Sequence, residues 1–128
     1  MANFELLKEL TQAWGVAGRE KAVRAIVLRE LEGHVDSAYV DNIGNIIAVK
    51  HGKGSADSKK IMLSAHMAEI GLQVKKIESD GRIKVCSVGW VWTSALYNDQ
   101  VVFQNGVIGV VGCAGKIEDA KNDSGKLY

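Results

Sequence analysis

Apolar residues recur at helical spacing through the first quarter of the chain. Phe4, Leu6, Leu7 and Leu10 fall on one face, because side chains three and four positions apart are neighbours on a helix. Asn3 is placed to cap the first turn, where its side-chain oxygen can accept from a backbone amide. Trp14-Gly15-Val16-Ala17-Gly18 interrupts the period. Val23, Ile26, Val27, Leu28 and Leu31 resume it and predict a second helix. Gly33 then serves as a stop, since glycine enters left-handed backbone without a Cβ clash. Residues 1–33 are therefore predicted as a helix pair.

From residue 35 the period shortens to that of strands. Residues 35–40 and 45–50 read as short strands around the turn Asp41-Asn42-Ile43-Gly44. The stretch HGKGSADSKK (51–60) is a polar loop with glycine punctuation. Residues 61–65 form a compact apolar run, which suits a buried central strand, and His66 sits at its C-terminal end. The runs 71–77 and 82–88 flank Ser79-Asp80-Gly81; the runs 101–103 and 107–111 flank Asn105-Gly106. Both turns are strong hairpin signals. The second half thus resembles a small barrel or sandwich. The pattern predicts an α/β chain: N-terminal helices on a partial α/β sheet, leading into a β-rich, barrel-like insert. A boundary is expected near residues 69–72, dividing 1–70 from 71–128. Lys126-Leu127-Tyr128 reads as the opening of a strand, whereas a domain more often closes on a polar tail. A truncated chain is the expectation.

Composition narrows the function classes. The chain is 47% hydrophobic and 24% charged, which excludes disordered, collagenous and low-complexity proteins. Its 16 Lys+Arg against 15 Asp+Glu leave a net charge of +1. Neither half is strongly basic, so no nucleic-acid or anionic-membrane partner is expected. No apolar stretch approaches the roughly 18 residues that span a bilayer. The opening MANFELLKEL carries acids among its apolar residues and does not read as a secretion signal. Cys86 and Cys113 make no disulfide framework, so a cytoplasmic protein with reduced thiols is expected. Proline is absent, and 14 glycines punctuate the fold instead.

His66 is the most informative candidate for chemistry. Ligands gather beyond the C-terminal ends of strands in open α/β sheets, and a histidine there can hold a metal. Position alone favours the plainer role, a histidine that caps a strand by hydrogen bonding. Glu69 could ligate or act as a base, or simply be a partly exposed carboxylate. His34 and His51 lie in or beside loops, with no partner at helical spacing. The cysteines read as small buried hydrophobes. Gly52-Lys53-Gly54 lacks the spacing of a phosphate-binding loop. Trp90 and Trp92 would share one face of a strand, as a surface patch or a buried pair. No Ser-His-Asp or Cys-His set can be assigned.

The stretch IMLSAHMAEIGLQVKKI (61–77) resembles the glutamyl and tetrahedral aminopeptidases, a family of two-metal metallopeptidases. Their signature is an apolar strand followed by H-x-D-E-I-G. LLKELTQAWGVAGRE (6–20) is similar to their first helix and its glycine break, and VDNIGNIIAVKHGKG (40–54) to the strand pair before the signature. NDQVVFQNGVIGVVG (98–112), KIED (116–119) and KLY (126–128) resemble the start of their inserted β-domain. The resemblance implies an aminopeptidase that removes N-terminal residues from cytoplasmic peptides. It implies a co-catalytic pair of divalent metals, zinc or cobalt, and a homo-oligomer assembled through the inserted domain. His66 matches the first histidine ligand of the metal pair. Some members carry an endoglucanase label, but no acid/base carboxylate pair for glycoside hydrolysis can be assigned here.

Two departures qualify the implication. The family's H-x-D reads His66-Met67-Ala68, and an alanine side chain neither supports the histidine nor supplies charge. The remaining ligands and the glutamate base lie later in family members, without counterparts here. Weak or absent metal binding and an inactive chain are therefore expected. The alternative is a truncated non-catalytic paralogue that acts as an assembly or binding module.

Overall fold

The computed structural model describes residues 4–55 and 58–112. The chain divides into two compact units, Met1–Ala68 and Glu69–Tyr128. Asn3, Cys113 and the segments 116–119 and 126–128, singled out above, lie outside the described residues.

The first unit holds α1 (Phe4–Gln12), α2 (Lys21–Leu31), β1 (Ser37–Val40) and β2 (Ile46–Val49). On α1 the apolar face is narrower than predicted. Leu6 and Leu10 are half-buried, while Phe4 and Leu7 face solvent. On α2, Val23 and Ile26 are buried, and Val27, Leu28 and Leu31 are half-buried. A fork of Arg29 onto Glu9, at 2.8 and 2.7 Å, ties the two helices together. Those hydrogen bonds hold the Glu9 carboxyl below its usual range. The pair is exposed, so its contribution to stability is small.

The break between the helices rests on two glycines used differently. Gly18 takes a left-handed φ of 81°, and its amide donates to Glu20 Oε1 at 2.6 Å. Gly15 is there for space. A Cβ on it would lie 2.7 Å from Val23 Cγ2 and 3.5 Å from the Met67 carbonyl oxygen. The end of α2 follows the prediction: Gly33 has a φ of 73°.

β1 and β2 pair antiparallel, with Val40 opposite Ile46. Their turn is built by Asp41, whose carboxylate accepts from the amides of Ile43 and Asn45 and from Asn45 Nδ2. The Asn45 side chain is the main reason that carboxyl is held below its usual range. Gly44 supplies a φ of 94°. Arg24 of α2 donates to the Gly44 carbonyl and to Glu20 Oε2, each at 3.3 Å, and so joins helix to hairpin.

Residues 61–65 depart from the prediction. They form no strand, and Ile61, Met62 and Leu63 are 86%, 88% and 91% exposed. The physical reason is the lack of a partner. A strand exists through its ladder, and β1 and β2 pair only with each other among the described residues.

The second unit holds β3 (Gly71–Ile77), β4 (Ile83–Val88), a 3₁₀ turn (Thr93–Ala95), β5 (Gln100–Val102) and β6 (Ile108–Val110). β3 pairs with β4, with a bulge between Val74 and Lys76, and β5 pairs with β6. Gly81 and Gly106 turn the hairpins at φ values of 86° and 84°. At the first turn, Glu78 lies 2.6 Å from both Lys76 Nζ and Lys84 Nζ, and these contacts hold its carboxyl down to about 2. Val111, 2% exposed, is buried here. Its amide donates to the Asp99 carbonyl, and its own carbonyl accepts from Asn98. Leu72, Ile83, Val85, Val101 and Phe103 line an apolar cleft of about 320 Å³.

The described strands form three separate two-stranded sheets, so the closed barrel expected from the hairpin signals is not formed by them. Two further expectations meet different outcomes. Cys86 was expected to be buried but is exposed on β4. Trp90 and Trp92 lie beyond β4 instead of on a strand, and are 85% and 73% exposed. Gly89 turns the chain away just before them, at a φ of 76°.

Candidate functional site

The site begins just after residues 61–65. They form no regular element, and His66 follows them at an exposed position. Met67 and Ala68, which follow, are half-buried. The Met67 carbonyl oxygen lies near Gly15, 3.5 Å from where a Cβ on that glycine would sit. The histidine is therefore an exposed ring on a stretch of chain whose next residues pack inward.

His66 Nδ1 lies 2.9 Å from the Ala68 carbonyl oxygen. The alanine side chain offers no acceptor, but the main chain of the same residue does. This contact was missed by the sequence reading, because patterns of residue types describe side chains and not carbonyl directions. One imidazole with an open Nε2 fits a single ligand position. Among the described residues, no group of three or more His, Cys, Asp or Glu side chains could hold a metal ion. These residues thus fit one ligand of a metal centre and do not complete one, since zinc sites use three or four protein ligands.

The other candidates have settings of their own. His34 and His51 are exposed on either side of the β1–β2 hairpin. Both are engaged through the main chain: the His34 carbonyl accepts from Lys50 Nζ at 2.8 Å, and the His51 amide donates to the Asp36 carboxylate. Glu69 is exposed and opens the second unit. No helix among the described residues is long and apolar enough to cross a membrane.

Comparison with known proteins gives the chain its setting. Residues 44–126 match the model of the M42 glutamyl aminopeptidases, and residues 2–26 match a second model, AMPT. A putative aminopeptidase of Acetivibrio thermocellus is 44% identical over 126 residues, which cover 98% of this chain and 37% of that protein. A TET aminopeptidase from a marine sediment Thaumarchaeota archaeon superposes with a TM-score of 0.78 at 25% identity, covering 97% of this chain and 37% of that one. The TET1 peptidase of Pyrococcus horikoshii, described as assembling into a tetrahedron or a large octahedral shell, superposes with a TM-score of 0.70 at 34% identity. That match covers 90% of this chain and 34% of the peptidase. The relatives thus define an aminopeptidase class with α/β architecture. Within it, the chain belongs to the M42 glutamyl aminopeptidase family. It spans about 37% of the length of the curated relatives it matches.

Proposed function

We propose that the chain is the N-terminal portion of a metal-dependent aminopeptidase that removes N-terminal residues from cytoplasmic peptides, and that it is inactive by itself. The carrying observation is that the family match over residues 44–126 contains His66, held with an open Nε2. On this reading residues 1–70 open the catalytic domain and residues 71–128 belong to the inserted β-rich domain. His66 is the residue here that would hold a divalent metal, zinc or cobalt; such an ion, when bound, supplies an activated water.

Zinc titrated into the purified chain is expected to bind weakly by calorimetry, short of one tight equivalent, and the heat should vanish in His66→Ala. A single imidazole cannot match the three or four ligands of ordinary zinc sites. Tight stoichiometric zinc that survives His66→Ala would remove His66 as the ligand. Tight zinc lost with His66 would mean that other groups, such as His51, complete the site.

The β-rich half is the proposed contact for self-association. Each of its four strands pairs on one side only among the described residues, and an unpaired strand edge recruits another strand. Symmetric homo-oligomers are the commonest outcome of such exposure. A dimer or larger assembly is expected at micromolar concentration by light scattering coupled to size exclusion. A well-folded monomer there would show that these residues close their own surfaces.

A further inference from the structure

We infer that the main-chain carbonyl of Ala68 is the positioning group for His66: it fixes the imidazole as the Nδ1–H tautomer and leaves Nε2 as the one open lone pair. The two atoms lie 2.9 Å apart. A carbonyl oxygen has no proton to give, so the ring nitrogen must donate. A neutral imidazole carries one ring proton; held at Nδ1, it leaves the acceptor at Nε2. The ring is exposed while Ala68 is half-buried. The anchored end of this contact is therefore the carbonyl, and the ring adapts to it.

Metal-ligating histidines nearly always donate their second ring N–H to a carboxylate, a backbone carbonyl or water, which sets both tautomer and ring direction. In this chain the residue two positions on from His66 has no carboxylate, and its own carbonyl does the aiming. A carbonyl is a neutral dipole, so it directs the ring without adding negative charge to it. The substitution of alanine thus removes charge from the site and keeps direction. That the open Nε2 faces a metal rests on the reading of His66 as a ligand; the tautomer does not.

The chain labelled with ¹⁵N-histidine, studied by long-range proton–nitrogen correlation at a pH where imidazoles are neutral, tests this. His66→Gln identifies the His66 signals. His66 is expected to show a protonated, pyrrole-type Nδ1 and a pyridine-type Nε2. The exposed rings of His34 and His51 are expected to show the averaged pattern of free imidazole. A proton on Nε2 of His66, or averaging like the other two rings, would overturn the inference. Zinc is then added to the same sample. A change confined to Nε2, with Nδ1 still protonated, supports it; a change that deprotonates Nδ1 overturns it. No zinc effect on a ring already seen as Nδ1–H supports the positioning role and removes the ligand reading, so the two failures are distinguishable.

Discussion

The purified chain is expected to show no turnover of chromogenic amino-acid amides with added zinc or cobalt, and Ala68→Asp should leave it without turnover. A hydrolytic metal centre needs enough ligands to hold its ion and an open position for water. Among the described residues His66, the proposed ligand, has an open nitrogen, and no cluster that could hold an ion is present. Restoring a carboxylate at 68 would act on the histidine alone. Groups that support a ligand are typically worth about 10–100-fold in affinity or activity, and a multiplier applied to an incomplete site yields nothing measurable. The informative result would be metal-dependent hydrolysis that disappears in His66→Ala. It would mean that this chain, or an assembly of it, completes the site.

Ile26→Ala is expected to cost the first unit about 2–5 kcal/mol, enough to unfold the helix pair at ordinary temperature. The reason is how little the unit buries. Val23 and Ile26, 6% and 9% exposed, are its buried apolar side chains among the described residues. A whole domain is commonly stable by only about 5–15 kcal/mol, and one with so small a core sits low in that range. Helix content followed by far-ultraviolet circular dichroism against temperature measures the loss. Phe4→Ala is the control: Phe4 is 77% exposed, so its removal should change stability by no more than about 0.5 kcal/mol. Equal effects of the two substitutions would show that the helix pair is not held by α2 packing.

The helices and hairpins were legible because their punctuation is chemical. Gly33, Gly44, Gly81 and Gly106 all adopt the left-handed backbone that their positions predict. Asp41 and Asn45 spell out a turn in side chains that bond their own backbone. Residues 61–65 were misread for the opposite reason. An apolar run reports that burial is wanted, and says nothing of which neighbour supplies it. Cys86 failed likewise, since exposure depends on what covers a sheet face, and for the same reason the pattern could not choose between a surface patch and a buried pair for the two tryptophans. His66 was singled out through the residues around it, but its bond to Ala68 could not be foreseen, because a carbonyl is present at every position.

Gly15 ties two matters that are otherwise discussed apart. The carbon it lacks would strike Val23 on one side and reach van der Waals contact with the Met67 carbonyl on the other. The helical core and the peptide next to His66 therefore meet at one glycine, with room for a methyl on the peptide side and none on the core side. A methyl at position 15 would thus press on Val23 and leave the peptide beside His66 in ordinary contact. At this point in the chain, the tolerance of the helical core, and not that of the histidine segment, decides whether a side chain can be added.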